Sequence, residues 1–401
     1  MNENLSRGGA AVPPRSSSGF DAEWPGRAGT PRALGYFLER GAEIGATEAL
    51  QQARAQGCRI IGVFCSLIPE ELILALNAVP VRLCAGTATT ATGDLPRDTC
   101  PVVRAALERL QGGTLAGLID GLVVPTTCDW KVQTVQRLAG RFPLWLVEAP
   151  RSPEPEALVA EFRRLAGELA KLTDFSLTAR YLAAAIADVN RARAAHRRLE
   201  ALRRRALPPI SGCEAMLVAD TYTYGDQEGW TEACETLVDE LDDPEHRGPP
   251  RARVLLAGSP MIWPNFKVPR LVENTGGVVV GDDFCSRSSR LNAPDVQPAS
   301  LREMLQALAR RAVEPCTCGV LGPRAEQERV IAQAQELDAD GVICHYLRGC
   351  APVAANQAAV TRALREAGRP TLTIETDASE EDVEGLRTRI EAFIELLNAR
   401  G

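Results

Sequence analysis

No apolar run in this sequence reaches the roughly 18–20 residues that a membrane-spanning helix needs. Basic residues are not in excess either. The formal net charge is −7 and the pI about 5.4, so nothing calls for a nucleic-acid or anionic-membrane partner. The opening stretch, MNENLSRGGAAVPPRSSSGF, has no apolar signal core and no twin arginine, so the expected location is the cytoplasm. Nucleotide-binding signatures are missing. No G-x-x-x-x-G-K-S/T occurs, which excludes a P-loop, and no G-x-G-x-x-G opens a helix after a strand. There is no G-x-S-x-G nucleophile elbow. Any ATP-driven step must therefore be supplied by another protein. Histidine is scarce: only His196, His246 and His345 are present. The first two read as solvated, in a basic helix face and a linker, and His345 as a candidate proton donor near a cleft.

What the chain does have is 45% apolar residues and 12 cysteines in 401 residues. That length suggests two or three domains. Residues 1–32, rich in Gly, Pro, Ser and Arg, read as a mobile arm that buries too little apolar surface to offset chain entropy. A helix is expected around Leu34 to Gln56. Short β-branched runs at Arg59–Phe64, Val79–Leu83, Leu122–Val124 and Leu144–Val147 alternate with helical segments, which argues a parallel doubly wound sheet over residues 33–150. From 151 to 250 the apolar spacing is i, i+3, i+4, a helical segment ending in a linker. Strand runs return at Val254–Ala257, Gly277–Val280, Gly341–Cys344 and Thr371–Ile374, with a last helix at about Ser379–Asn398, giving a second α/β domain over 251–401. The simplest reading is two similar α/β units joined by helices, with a cleft between them.

Ligands of open α/β sheets bind beyond the carboxyl ends of the strands, and several cysteines fall there. Cys65 follows RIIGVF, Cys84 follows VPVRL, Cys128 follows LVVPTT, and Cys285 follows GGVVVGDDF. Cys350 lies six residues past GVIC; Cys100 precedes a helix start, and Cys316 and Cys318 form a C-x-C. Thiols near helix N-termini ionise more easily, and the thiolate is the metal-ligand form. The spacing matches neither a compact ferredoxin run nor paired C-x2-C zinc knuckles. The competing reading is that cysteine is a small buried hydrophobe. That suits Cys58, Cys213, Cys234 and Cys344, and stays open for Cys65. Glu375 and Asp377 end the last strand, where they can meet metal or substrate or cap the next helix, and Trp263–Lys267 follows the first strand of the second unit as a substrate contact or as loop packing.

These residues carry a family resemblance from about Arg59 to the C-terminus. PEELILALNAVPVRLCAG (69–86), LPRDTCPVVR (95–104), VVPTTCDWK (123–131), PPISG (208–212), KVPRLVENTGGVVVGDDFC (267–285), DGVICHYLRGC (340–350) and IETDASEEDVEGLRTRIEAFIE (374–395) occur in the order and spacing of the 2-hydroxyacyl-CoA dehydratase and benzoyl-CoA reductase superfamily. The resemblance implies two flavodoxin-like doubly wound units flanking a cluster cleft. It implies a 4Fe–4S cluster held by Cys100, Cys128 and Cys350.

The chain is most similar to the double-cubane branch, whose further cysteines match Cys84, Cys285 and one of Cys316 and Cys318. That implies an 8Fe–9S double cubane and an iron–sulfur reductase passing single electrons to a small substrate. The alternatives are a single-cluster dehydratase or reductase subunit and a non-catalytic electron carrier or cluster scaffold. The implied partners are an ATP-dependent activator with its own 4Fe–4S cluster and a second copy of the chain. His345 and Glu375 are the candidate catalytic groups beside the cluster. The surroundings depart from the branch. Its G-C-P-I-G-G is Gly258-Ser259-Pro260-Met261-Ile262-Trp263 here, its C-D-G-K-K-K is Cys128-Asp129-Trp130-Lys131-Val132-Gln133, and its A-C-H-T-Y is Gly349-Cys350-Ala351-Pro352-Val353. These changes bear on the substrate, because Trp130 and Trp263 narrow a pocket that glycines would leave open. Lys131, Lys267 and Arg270 are the cations available to thioester phosphates.

Overall fold

The computed structural model describes residues 29–400 except 42, 85–94, 97, 113–114, 139, 151–153, 244–245, 247, 285–289 and 314–322. Most of the expected N-terminal arm lies outside the described residues, as do Cys285, Cys316 and Cys318.

The first unit contains strands β1 (Arg59–Val63), β2 (Ala78–Arg82), β3 (Gly121–Pro125) and β4 (Leu144–Val147). The second contains β5 (Ala252–Gly258), β6 (Gly277–Phe284), β7 (Gly341–Leu347) and β8 (Thr371–Thr376). Each is a four-stranded sheet, ordered β2-β1-β3-β4 and β6-β5-β7-β8, and every pairing is parallel. The protein is thus an α/β fold with two parallel-sheet units, as the alternating runs predict.

The sheets are covered on both faces because their strands are apolar on both. Successive side chains point to opposite sides. Ile61, Val63, Val123 and Val147 face one core, and Ile60, Val81, Leu122 and Val124 face the other. In the second sheet Val254, Leu256, Ile343 and Ile374 share one core while Leu255, Ala257, Val342 and Cys344 share another.

The helices are α1 (Leu34–Gly41), α2 (Glu43–Ala55), α3 (Glu70–Leu74), α4 (Pro101–Gln111), α5 (Asp129–Gln136), α6 (Glu156–Thr173), α7 (Ala179–Arg203), α8 (Gly212–Thr221) and α9 (Gln227–Leu241). They continue with α10 (Lys267–Asn274), α11 (Leu301–Val313), α12 (Pro323–Glu336), α13 (Ala351–Glu366) and α14 (Val383–Asn398). Their starts follow local chemistry. Thr178 caps α7 by accepting the Tyr181 N–H at 3.2 Å, and Ser211 and Glu214 close a capping box on α8. Glu273 adds a second acceptor to that end, at 2.6 Å from the Gly212 nitrogen. Burial pushes this carboxyl up to about 7.

The helical stretch between the sheets is shared. The first part of α7 (Leu182, Ala185, Ile186) joins the first unit's core with α6, while its last part (Ala192, Leu199) joins the second unit's core with α8 and α9. One element from late in the chain returns to the first unit: Met304, Leu305, Leu308 and Val313 of α11 pack with Leu158, Phe162 and Leu165 of α6.

A buried ion cluster sits where these parts meet. Arg193 of α7 reaches Glu71 at 3.0 Å and Glu70 at 3.5 Å. Arg311 of α11 reaches Glu71 at 2.6 Å. Arg290 pairs with Glu70 and donates to the carbonyl of Ser66 at 2.8 Å and to that of Ile68.

Two readings of the histidines need correction. His196 is fully buried, not solvated, and its Nδ1 lies 2.9 Å from Asn292 Oδ1. The arginine-rich α7 runs between the two units, so a face that looks basic in sequence is covered by other elements. His246 is also buried, at 7% exposure.

Among the described residues no helix is long and apolar enough to cross a membrane.

Candidate metal centre

Both sheets run 2-1-3-4, so each reverses direction of growth between its first and third strands, and a crevice opens there beyond the carboxyl ends. In the first unit Cys65 follows β1, Cys84 follows β2 and Cys128 follows β3. In the second, Ser259 follows β5, and Cys350 follows β7 and its short loop. The two crevices face each other.

Cys100 and Cys350 meet across this junction. Each is the N-cap of a helix, α4 and α13, with proline in the first turn fixing the backbone for entry. Both sulfurs face first-turn N–H groups, those of Val102 and Val103 at Cys100 and that of Val353 at Cys350. Their contact is set by Gly349. At φ +85° it lies in the left-handed region, and a Cβ there would overlap the carbonyl oxygen of Asp98 and sit 3.1 Å from the Cys100 nitrogen. The loop after β7 thus presses directly on the segment that delivers Cys100.

The two sulfurs share a hydrogen bond and are charged unequally. Cys100 donates to Cys350, which pulls Cys350 below the ordinary thiol range against the opposing effect of burial. The Ser259 hydroxyl, the Val353 N–H and the Lys131 ammonium favour the thiolate further. Cys100 is raised by the same hydrogen bond and by burial. The pair is therefore one thiolate and one thiol, held between two helix N-termini whose partial positive charge favours the anion.

Ser259 was passed over as a site residue by the sequence reading. It is fully buried, and every polar atom it has is used toward the second unit's strand ends. Its N–H donates to the His345 carbonyl at 2.8 Å, and its hydroxyl oxygen accepts the Leu347 N–H at 3.0 Å. Gly258, at φ +113°, allows this approach, since a Cβ there would overlap the His345 carbonyl oxygen. The available signal was its position, the residue directly after a strand beside the reversal point.

Cys128 is half-buried just before α5, and its carbonyl accepts the Lys131 N–H at 3.1 Å. The Lys131 ammonium donates to Thr127 Oγ1, which lies 4.0 Å from the buried Cys65 sulfur. Cys84 donates its S–H to the Phe64 carbonyl at 3.0 Å and packs against the pair Tyr224 and Ile262. Cys213, Cys234 and Cys344 are buried thiols, Cys344 being pushed up to about 12 by burial.

His345 is 2% exposed on β7, and burial pushes it down to about 4, so the ring is neutral. Glu375 is exposed on β8, 3.3 Å from Arg348 and from the Tyr346 hydroxyl. Asp377 accepts the Ser379 N–H and hydroxyl at 2.8 and 2.7 Å, while Asp382 holds the cap position of α14. Lys267 is buried and bound at 2.6 Å to both Asp382 and the Ser379 carbonyl. Arg270 faces Glu380 at 3.7 Å. Trp263 donates through Nε1 to the Gly41 carbonyl at 3.0 Å and stacks edge-on with Phe266, so it serves packing as well as the junction.

Among the described residues no three His, Cys, Asp or Glu side chains group as metal ligands. The two-cysteine arrangement nonetheless suits a soft metal. The sulfurs approach from separate halves without forming a disulfide, and the surroundings of Cys350 favour its thiolate.

The model of the family "2-hydroxyglutaryl-CoA dehydratase, D-component" matches residues 65–397, and the chain belongs to that family. It is similar to YjiM of Escherichia coli (strain K12), provisionally named a dehydratase subunit, at 29% identity over 86% of this chain and 93% of that one. It is 23% identical to the (R)-phenyllactyl-CoA dehydratase beta subunit of Clostridium sporogenes, over 85% of this chain and 92% of that one. It is 25% identical to subunit beta of (R)-2-hydroxyglutaryl-CoA dehydratase from Acidaminococcus fermentans, over 91% and 100% respectively.

Proposed function

We propose that this chain is the iron–sulfur component of an enzyme of the 2-hydroxyacyl-CoA dehydratase type, with Cys100, Cys128 and Cys350 as the thiolate ligands. The observation that carries the reading is the meeting of Cys100 and Cys350, each the N-cap of a helix, from the two units. When bound, such a cluster supplies single-electron and Lewis-acid chemistry. The chain's own residues do the rest. Ser259 and Lys131 hold negative charge on the Cys350 sulfur. The substrate is a small acyl compound. A separate activator that hydrolyses ATP and carries its own 4Fe–4S cluster charges the site, since the sequence has no P-loop. Assembly is as a homodimer.

A second reading, the double-cubane reductase, is favoured by the place of Cys84. Its side chain packs against the pair Tyr224 and Ile262, as does Val102, two residues from Cys100, so it borders the same junction. Cys285 and one of Cys316 and Cys318 complete that set.

Iron and sulfide per chain after anaerobic purification decide between them. About four iron atoms support a single cubane and about eight the double one, while an intact fold with no iron overturns both. Cys100→Ser or Cys350→Ser is expected to remove the iron in either case. Cys84→Ser removes about half of it only if the cluster is doubled.

A further inference from the structure

Between the two units lies a cavity of about 30 Å³, bordered by Pro101 and Val102 on one side and by Ile262, Asn265, Lys267 and His345 on the other. It touches the residues that follow Cys100 on α4 and precede Cys350 on β7. Three observations define its chemistry. The Nδ1 of His345 lies 3.2 Å from the Ser259 carbonyl oxygen. A carbonyl only accepts, so Nδ1 carries the ring proton and Nε2 presents a lone pair. Nε2 has no partner among the described residues, although the ring is 2% exposed. Asn265 Oδ1, on the same cavity, is buried and likewise without a partner.

The cavity therefore offers two acceptors, His345 Nε2 and Asn265 Oδ1, that have no donor of their own among the described residues. An anion would face two lone pairs. The Lys267 ammonium is paired with Asp382 and also held by the Ser379 carbonyl, so it offers little net charge to either an anion or a cation. A cation would find no carboxylate among the lining residues. The group that fits is neutral, small and donating. A space of this size holds one or two oxygen atoms with their hydrogens.

We propose that this cavity is a subsite for a neutral hydroxyl group, received by the Nε2 of His345. In the free protein a water takes the same place. Ser259 is the positioning residue: its carbonyl fixes the imidazole tautomer, while its hydroxyl reaches the Cys350 sulfur. One buried serine thus holds the hydroxyl acceptor and the metal-ligand candidate in a common frame. The inference rests on the proposed function only for the identity of the molecule that carries the hydroxyl.

Two measurements test it on the full chain. With only three histidines present, ¹⁵N-labelled imidazoles give a resolvable spectrum, and His345→Gln assigns the resonance. The expected result is a protonated Nδ1 and a bare Nε2 at neutral pH; a protonated Nε2 overturns the proposal. Crystals are then soaked in methanol as the probe. An oxygen within hydrogen-bonding distance of Nε2 is expected in the wild type. It should persist in His345→Gln, whose amide oxygen restores an acceptor, and fall about fivefold in occupancy in His345→Leu, the weight of one hydrogen bond. A dry cavity in the wild type, or equal occupancy in His345→Leu, overturns the proposal. If His345→Leu does not fold, the wild-type tautomer and density decide alone. Absence of iron from the chain would overturn the proposed function and leave these readouts unchanged.

Discussion

Ser259 shows how much a single side chain does at the junction. Replacing it with alanine removes the acceptor of the Leu347 N–H and the donor to Cys350, while keeping the carbonyl that holds His345. A buried N–H left without a partner costs about 1–3 kcal/mol, to be read from the urea midpoint. In metal-free protein the Cys350 thiol should then need a higher pH for alkylation, the direction set by the lost donor. His345 gives a pH prediction. Its folded value of about 4 lies below the ordinary 6.5, so between those values the unfolded chain binds more protons. Stability therefore falls as pH drops from about 6.5 towards 4, by about 2 kcal/mol at pH 5 relative to pH 7. His345→Gln should flatten that part of the urea-midpoint profile. Glu273, raised rather than lowered, acts in the opposite sense in both proteins and cancels in the comparison. At this scale the sequence was legible where position carried meaning. Cys100 stood out by lying just before a helix start and Cys350 by lying past a strand end, and the family resemblance joined them as one set. Ser259 did not, because its importance comes from contacts with His345 and Leu347, some 86 residues away in sequence. His196 and His246 misled for a similar reason: nothing local records which face of a polar segment another element will cover.

The eight strands were readable as elements because buried parallel strands write themselves as short β-branched runs. Helix ends were less so. The helical reading of residues 34–56 matches the described residues on either side of position 42, and the carbonyl of Gly41 is taken by Trp263 from the distant second unit. The last helix was expected from Ser379 and starts at Val383, because Asp377 turns back on Ser379 and Lys267 holds the Ser379 carbonyl. Two substitutions test the ends that matter. Thr178→Ala removes the cap of α7 and should cost about 1 kcal/mol by chemical denaturation. Gly349→Ala imposes a left-handed backbone on alanine, about 1–2 kcal/mol by itself, and also forces a methyl group into the Asp98 carbonyl. Its stability loss should exceed that of Thr178→Ala. Because the displaced segment carries Cys100, iron retention should fall with it, whereas Thr178→Ala should leave iron unchanged.

The buried ion cluster joins α3, α7, α11 and Arg290 into one body. Burial alone would raise the Glu71 carboxyl, but Arg311 and Arg193 outweigh it and hold it below the ordinary range. Its contribution is thus present above the unfolded value and lost as pH falls through the lower folded value. Glu71→Gln leaves two arginines facing a neutral amide in a dry site, and breaking a buried pair in this way costs about 3–5 kcal/mol. The denaturation midpoint should report it as a single cooperative shift, since the cluster touches both halves. None of this was written in the residue pattern. The apolar stripe of α11 announces a buried helix but not which core receives it, and the acids of PEEL read as a helix start, not as a partner for arginines more than a hundred residues onward. The return of α11 to the first unit also bears on how the gene can be divided. A cut at Pro249–Pro250, between the two sheets in sequence, would give an N-terminal fragment missing a wall of its own core along with Arg290 and Arg311. Such a fragment should aggregate when expressed alone and become soluble only when the C-terminal fragment is made in the same cell, so that a complementation assay would see two genes behaving as one folding unit.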